Sequence, residues 1–303
     1  MPPRCLPLVL ALAAPALAAP PVGDGGAASD RDLPAPRVAH GRLRLRPPPR
    51  GLLALTFDDG PSAATTQTIL DELSREGAPA TFFVNAYRLG GHSQAAARQR
   101  ELLAEEVARG HLVGNHTFDH QRLSDLPAAA QEKEIVDGER GIARVLGQRP
   151  WLFRPPYGRM AAPAARVLAA RGYTVVQWNI SSEDPYLRTP EKVLDQVMAE
   201  IRREGGGVVL FHDTHPWTAA ALPLFFAALA DENCHRVEAG EEPLLVVGLD
   251  RFVAPSYGGP RNTAQWSDSD REARRRIAEA CRKARGPDQE PVVDEDVRRA
   301  HPR

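Results

Sequence analysis

The chain has little lysine, little cysteine and no long apolar segment. Of its 303 residues, 38 are Lys or Arg and 39 are Asp or Glu, so its net charge is −1; only three of the basic residues are lysine. Because nucleic-acid-binding proteins usually carry a strong basic excess, this balance argues against a nucleic-acid partner. No run of 18 or more apolar residues occurs, which excludes a membrane-spanning bundle.

The first residues have the pattern of a secretory signal. Arg4 precedes the apolar run Leu6–Leu17, and Ala16-Leu17-Ala18 is a small-x-small cleavage site. We predict a signal peptide over residues 1–18, export to the periplasm or the extracellular space, and no membrane span after cleavage. An uncleaved anchor and a misassigned start codon are the alternatives. Cys5 precedes the apolar run instead of following it, which disfavours a lipoprotein.

Both ends differ in composition from the middle of the chain. Residues 19–50 are rich in Pro, Ala, Gly and Arg and are typical of a linker. Residues 255–303 are polar, with one helical stretch at 268–284 whose arginines (Arg271, Arg274, Arg275 and Arg276) we interpret as a solvated face. The domain is therefore predicted over residues 51–254. Cys234 and Cys281 remain after signal cleavage, and either one disulfide or two thiols fits. The oligomeric state is left open.

Seven short apolar runs alternate with helical patterns between these ends. Continuous apolar strands separated by helices indicate an α/β fold with a parallel sheet covered on both faces, either a barrel or an open doubly wound sheet. The predicted strands are Leu52–Phe57, Thr81–Val84, Leu112–Gly114, Trp151–Phe153, Tyr173–Trp178, Gly207–Phe211 and Leu244–Val247.

Polar residues that can take part in catalysis or metal binding follow the ends of these strands. No glycine-rich phosphate loop follows the first strand, which argues against a nucleotide-binding sheet. Parallel α/β barrels build their sites at the carboxyl ends of their strands. Each motif alone also has a structural explanation, but their common placement indicates function. The candidates are Asp58, Asp59, His116, His120, Arg154, Asp184 and His212.

Two histidines four residues apart, with one carboxylate, form a three-ligand set that leaves a coordination position for water. On a helical turn, His116 and His120 would lie on one face, about 6 Å apart. Such a set suits Zn²⁺, Co²⁺, Mn²⁺ or Ni²⁺. Hydrolysis with a metal-activated water also needs a carboxylate base and an acid for the leaving group, roles for which Asp58 and His212 are available.

Four segments resemble the motifs of the polysaccharide deacetylase (NodB homology) family, carbohydrate esterase family four. The similarity extends over roughly residues 52–252. The segments are Thr56-Phe57-Asp58-Asp59-Gly60-Pro61-Ser62, Asn115-His116-Thr117-Phe118-Asp119-His120, Arg154-Pro155-Pro156-Tyr157-Gly158 and Leu210-Phe211-His212.

The resemblance implies a distorted, incomplete (β/α)7–8 barrel with parallel strands and one divalent metal, usually zinc. Asp59, His116 and His120 would be the metal ligands. Asp58 would be the general base, held ionised and oriented by Arg154.

The resemblance also assigns the remaining groups. His212 would be the general acid, tuned by Asp184. The backbone N–H of Tyr157 would help to stabilise the oxyanion, and Leu210 would line the pocket for the acetyl methyl group.

The fourth motif departs from the family pattern. Asp184 is followed by Pro185 where the family commonly has Trp, and Ser181 stands where an Asp is often found. Trp217 or Tyr186 could take the place of the missing indole, although Trp217 also fits the start of the next helix.

The resulting hypothesis is an exported, metal-dependent hydrolase that removes N-acetyl groups from amino sugars of a polysaccharide. The altered fourth motif leaves two alternatives open. One is an O-acetyl esterase or amidase with the same site, and the other is a non-catalytic glycan-binding envelope protein. The motifs do not choose among peptidoglycan, a chitin-like oligomer and an exopolysaccharide.

Overall fold

The computed structural model describes residues 51–253 and 267–285. Eight parallel strands make up its single sheet, and short apolar sequences form each of them. The strands are β1 Leu52–Asp58, β2 Ala80–Val84, β3 Leu112–Asn115, β4 Leu152–Phe153, β5 Thr174–Val175, β6 Ile180–Ser181, β7 Gly207–His212 and β8 Leu245–Val246.

Helices surround the sheet and connect most of its strands. They are α1 Thr66–Glu76, α2 Gln94–Ala108, α3 Ala128–Leu146, α4 Ala162–Ala170, α5 Pro190–Glu204, α6 Pro216–Glu238, α7 Asp250–Val253 and α8 Asp268–Arg285. Local signals set several boundaries. Gly77 ends α1 in the left-handed conformation (φ 62°), and the side chain of Thr189 caps α5 by accepting from the Lys192 N–H.

The sheet is curled into an incomplete barrel. Its strands follow the order β5-β4-β3-β2-β1-β7-β6, with β8 paired to β1. In a flat sheet, the two end strands would lie about 29 Å apart. Only residues 176–179 connect β5 to β6, and five residue steps span about 17 Å at most. The sheet therefore has to bend round on itself, which confirms the distorted, incomplete α/β barrel.

Strand alternation divides the apolar residues between two sides of the curled sheet. Leu53, Leu55 and Phe57 of β1 point to the outer core, the cluster in which the sheet packs against α1, α2, α5 and α6. Leu52 and Ala54 belong to the inner cluster, which also contains Phe83, Val208 and Leu245. By the same alternation, Thr56, Asp58, Leu210 and His212 lie on the inner side.

Helix α8 closes the amino-terminal end of the barrel. Its residues Ala273, Ile277 and Cys281 complete the inner cluster. Arg274 is 5% exposed and donates to the Gly51 carbonyl, just before β1, at 3.1 Å. The expectation of a solvated face is therefore wrong for Arg274, which also pairs with Glu242. Arg271, Arg275 and Arg276 are exposed and pair with acids of their own helix.

A disulfide between Cys234 of α6 and Cys281 of α8 decides the question that the sequence left open. Near the start of α8, Arg251 donates to both carboxylate oxygens of Asp270, at 3.1 and 2.6 Å. The disulfide and the ion pair hold α8 against the barrel. None of the described helices combines the length and the apolar character needed to cross a membrane.

The strand prediction was wrong at one place. Tyr173–Trp178 is not one strand: β5 covers only Thr174–Val175, and an unpredicted strand, β6, follows at Ile180–Ser181. Asp184 therefore follows β6, although it still lies beyond the carboxyl end of a strand. The predicted signal peptide and linker lie outside the described residues.

Candidate active site

The predicted site residues converge at the carboxyl ends of the strands. The register pairs Asp58 of β1 with His212 of β7 on one side and with Phe83 of β2 on the other. His116 follows β3 and Arg154 follows β4, so both reach the same end of the barrel. Parallel pairing thus brings together side chains that lie up to 154 positions apart in the sequence.

Asp59, His116 and His120 form a compact set of metal-ligand atoms. Asp59 Oδ1 lies 3.5 Å from His116 Nε2 and 3.3 Å from His120 Nε2. One ligand atom from each residue lies within 4.8 Å of the other two, and no other set of three or more such residues does so within the described part of the chain.

The chemistry of this set fits a divalent metal ion. Asp59 Oδ1 is buried and has no hydrogen-bond partner among the described residues. His116 Nδ1 donates to the Arg154 carbonyl at 2.7 Å, which leaves the lone pair of Nε2 directed at Asp59. Burial lowers the pKa of His116 to about 3, so its imidazole is neutral, as a ligand must be. Two imidazole nitrogens and one carboxylate are a donor set suited to zinc.

The four-residue spacing predicted that His116 and His120 lie on a helical turn, and this prediction is wrong. Residues 116–120 form a loop in which Thr117 and His120 have positive φ angles of 72° and 67°. Glu134 Oε2 accepts hydrogen bonds from the backbone N–H groups of Phe118 and Asp119, and Thr117 Oγ1 accepts one from the N–H of His120. These hydrogen bonds shape the loop so that both rings face Asp59, with ring centroids 5.0 Å apart.

Asp58 and Arg154 form a fully buried ion pair beside the metal ligands. Arg154 Nη1 donates to Asp58 Oδ1 at 2.7 Å and to Thr56 Oγ1 at 2.8 Å. The guanidinium also lies over the rings of Phe83 and Trp178. Burial raises the pKa of Asp58 above its usual value, whereas the positive charge of Arg154 opposes this rise. The result is an oriented carboxylate with increased basicity.

Asp184, which is buried, and His212, which is partly buried, form a second pair. His212 Nδ1 donates to Asp184 Oδ1 at 2.7 Å, and the His212 backbone N–H donates to Oδ2 at 2.8 Å. Burial alone would lower the pKa of His212, but the hydrogen bond and charge of Asp184 raise it to about 9. The pKa of Asp184 is lowered: burial acts to raise it, and the bond to His212 outweighs that effect. His212 can therefore hold a proton at neutral pH.

Tyr157 and Leu210 flank the site. Tyr157 follows β4 with a left-handed backbone (φ 58°), and its ring lies 4.8 Å from that of His120, centroid to centroid. The guanidinium of Arg122 covers the Tyr157 ring at 4.6 Å. Leu210 is 6% exposed and lies on the inner side of β7, two residues before His212.

Several supporting groups were not found from the sequence. Thr56 links Arg154 to β7 by donating to the Val209 carbonyl at 2.6 Å, and Thr218 donates to Asp184 Oδ2 at 2.6 Å. Trp217 lies in the first turn of α6, as one of its two interpretations predicted, and its indole N–H donates to the Asp184 carbonyl. Tyr186, the other candidate for the place of the missing indole, is 78% exposed. Thr56 and Thr218 were missed because threonine is too common in a sequence to signal a supporting role.

Asp213 was also missed, although it directly follows His212. It is buried and accepts a hydrogen bond from the Thr66 hydroxyl; burial raises its pKa to about 7. Its carboxylate packs against Gly60, where an added Cβ would lie 2.1 Å from Asp213 Oδ2. The Asp-Asp-Gly turn therefore needs glycine at its third position.

Comparison with known proteins shows the family to which the chain belongs. The family model described as polysaccharide deacetylase matches residues 46–176. The chitooligosaccharide deacetylase of Bradyrhizobium sp. (strain ANU 289) is 36% identical over 163 residues, which are 54% of this chain and 70% of that protein. The chain belongs to the polysaccharide deacetylase family.

Other members of the polysaccharide deacetylase family extend the comparison. The peptidoglycan-N-acetylglucosamine deacetylase PgdA of Listeria monocytogenes is 33% identical over 189 residues, covering 62% of this chain but only 38% of that protein. The chain thus spans less than half the length of that relative.

Two solved structures share the fold. The peptidoglycan deacetylase PdaC from Bacillus subtilis has a TM-score of 0.57 and 28% identity, over 72% of this chain and 98% of that one. A family 4 carbohydrate esterase from Streptomyces lividans, solved with acetate, has a TM-score of 0.52 and 34% identity, over 60% and 89%.

Proposed function

We propose that this protein is an exported, metal-dependent hydrolase that removes N-acetyl groups from the amino sugars of a polysaccharide. The observation that carries the proposal is the arrangement of three elements at one end of the barrel. They are the convergent ligand atoms of Asp59, His116 and His120, the Asp58–Arg154 pair and the Asp184–His212 pair. A carboxylate and a protonated imidazole beside a metal site are what amide hydrolysis requires.

The relatives support a glycan substrate of the peptidoglycan or chitin type. They are named for deacetylation of peptidoglycan N-acetylglucosamine, peptidoglycan N-acetylmuramic acid, chitooligosaccharide and chitin. All of these substrates carry an acetamido group on a pyranose ring. We therefore propose an N-acetylated polymer or oligomer of this kind as the substrate.

Asp59, His116 and His120 would hold the metal, and zinc is the ion we propose, with Co²⁺, Mn²⁺ and Ni²⁺ compatible with the same ligands. When bound, such an ion polarises a carbonyl group and lowers the pKa of water to about 7. The backbone N–H of Tyr157 would stabilise the negative charge that develops on the substrate carbonyl oxygen, and Leu210 would contact the acetyl methyl group.

Asp58 would accept the proton of the attacking water. Its carboxylate is held by Arg154, so one oxygen is fixed in the ion pair while Oδ2 lies 3.6 Å from His116 Nε2, on the metal side. Burial raises the pKa of Asp58 and the Arg154 charge opposes that rise, so the carboxylate is more basic than that of an exposed aspartate.

His212 would then protonate the nitrogen of the departing amino sugar. Asp184 binds Nδ1, so the proton on Nε2 is the one available to the substrate. The C–N bond breaks, acetate leaves with the oxygen of the water, and the sugar retains a free amine.

Export is part of the proposal. Signal-peptide cleavage after Ala18 would deliver the domain to the periplasm or the extracellular space. The Cys234–Cys281 disulfide supports this, because disulfides persist in oxidising compartments and are rare in the cytosol.

The test is acetate release by purified protein that has been stripped of metal and then restored with Zn²⁺ or Co²⁺. We expect release from N-acetylglucosamine oligomers only after metal is restored. O-acetylated xylan is the second substrate, and preferential release from it would favour an O-acetyl esterase. Glycan binding without release from either substrate, despite stoichiometric metal, would contradict a hydrolase.

A further inference from the structure

The loop that carries Asp184 departs from an ordinary strand–helix connection. It starts after β6, and Glu183, directly before Asp184, has a positive φ of 52°. This left-handed backbone is unfavourable for a residue with a Cβ and persists only where surrounding contacts hold it. The N–H groups of Tyr186 and Leu187 both donate to the Glu183 carbonyl at 3.0 Å, which closes the loop.

The first turn of α6 holds this loop by hydrogen bonds to Asp184. Trp217 Nε1 donates to the Asp184 backbone carbonyl at 2.7 Å. The next residue, Thr218, donates to the Asp184 carboxylate at 2.6 Å. With the two hydrogen bonds from His212, Asp184 accepts four hydrogen bonds, so both its backbone and its carboxylate are fixed.

The indole of Trp217 is itself anchored. It is partly buried and packs against the outer core. The ring of His215 stacks on it, with ring centroids 4.8 Å apart and an interplanar angle of 14°. A ring held on one side by the core and on another by an imidazole directs its N–H in a single direction. That direction ends on the Asp184 carbonyl.

We propose that Trp217 is a positioning residue that fixes the Asp184 loop and, through the Asp184 carboxylate, the orientation of His212. The catalytic part of this inference rests on the proposed function. Its geometric part, the chain of hydrogen bonds from Trp217 through Asp184 to His212, does not. Small displacements of a proton donor are costly, since a shift of about 1 Å can slow a reaction about 10²-fold.

The decisive variant is Trp217→Phe, which keeps an aromatic ring against the core but removes the N–H donor together with part of the indole. We expect kcat to fall about fivefold to tenfold, as for the loss of one hydrogen bond, with KM unchanged within twofold. The matched control is Trp151→Phe. Trp151 is 37% exposed and lies just before β4, at the opposite end of the strands, so its loss should leave kcat unchanged.

A double-mutant cycle distinguishes positioning from direct action on the substrate. In an Asp184→Ala background, Trp217→Phe should cost less than twofold in kcat, because its effect has to pass through the missing carboxylate. An equal loss in both backgrounds, or a rise in KM with kcat unchanged, would overturn the proposal.

A readout that does not depend on activity separates this inference from the proposed function. Histidine titration by NMR in the Zn²⁺-loaded protein gives the pKa of His212, the residue that also faces Asp58, Asp59 and His215. Trp217→Phe should lower this pKa by about half a unit to one unit, since a loosened Asp184 stabilises the imidazolium less. An unchanged pKa would contradict the positioning role even in a protein that releases no acetate. A lowered pKa without any acetate release would contradict only the proposed reaction.

Discussion

The two ends of the barrel are built from different chemistry. At the carboxyl ends of the strands, charged groups are buried: Arg154 and Asp184 are fully inaccessible, and Asp58 and His116 are nearly so. At the amino ends, apolar side chains of the inner cluster pack against α8, and the Cys234–Cys281 disulfide holds that helix in place.

This difference separates reactivity from stability. Burying a charge costs free energy unless a partner compensates it, so the site end depends on matched pairs such as Asp58–Arg154. The amino-terminal end, where α8 packs against the strands, depends mainly on removing apolar surface from water, and the disulfide and the Arg251–Asp270 pair add to it. Substitutions at the carboxyl ends of the strands should therefore mainly affect turnover. Substitutions at the amino ends, where α8 packs, should mainly affect the free energy of unfolding.

The largest effect is expected at Asp58. Asp58→Asn preserves the shape of the side chain and an acceptor for Arg154 but removes the base, so turnover should fall by about 10²–10⁴-fold. Bound metal, measured by atomic absorption, should remain stoichiometric because Asp58 is not among the three converging ligands. Asp195→Asn on the exposed face of α5 is the control. Turnover within twofold of the unmodified protein would remove Asp58 from the base role.

The next largest effect is expected at Ile277, a core residue of α8 at the amino-terminal end of the barrel. Ile277→Ala leaves a cavity between α8 and the strands, and the free energy of unfolding should fall by about 2–5 kcal/mol in urea titrations. The folded protein should keep its kcat. Leu224→Ala, at a position that is 40% exposed, should change stability little. A loss of kcat without a loss of stability at Ile277 would break the separation between the two ends.

The Cys234–Cys281 disulfide should contribute somewhat less than Ile277 to the free energy of unfolding. Replacing both Cys234 and Cys281 by Ser should lower the free energy of unfolding by about 2–4 kcal/mol, since the bond closes a loop over a sequence separation of 47 residues. A reductant should destabilise the unmodified protein to the same extent and leave the double variant unaffected. If reductant leaves the free energy of unfolding of the unmodified protein unchanged, the disulfide does not stabilise the packing of α8 against the barrel.

The effect of Asp184→Asn on kcat should depend most strongly on pH. His212 has a pKa of about 9 because of Asp184, so it stays protonated up to that pH. The amide should lower this pKa by about one to two units, the value of a charge-assisted hydrogen bond, and move the alkaline limb of the kcat profile to lower pH. The loss should be larger at pH 9 than at pH 6, where His212 stays protonated and only its altered positioning slows the reaction.

The same shift predicts a pH dependence of stability. Because the folded-state pKa of His212 exceeds the unfolded value of 6.5, its contribution is complete below pH 6.5 and is lost as the pH rises through 9. Asp184→Asn should flatten this decline in urea titrations between pH 6 and pH 9. An alkaline limb and a stability profile that both stay in place would contradict the coupling of the pair.

Sequence patterns were sufficient for the fold class and for the positions of the candidate site residues. Asp58, His116, Arg154 and His212 each follow an apolar run, and parallel strands put such positions at one edge. The patterns failed where tertiary contacts override local preference. His116 and His120 lie in a loop because Glu134 holds its backbone, and β6 is only two residues long, too short for a periodic signal.

The sequence by itself determined which chemical groups stand at the strand ends, because strand periodicity and turn chemistry are local properties. Only the tertiary structure decided which groups meet. The pairing of Cys234 with Cys281, the burial of Arg274 beneath β1 and the hydrogen bond from Trp217 to Asp184 all join segments that are distant along the chain. Such contacts depend on how the curled sheet brings its helices together, and no local pattern encodes that geometry.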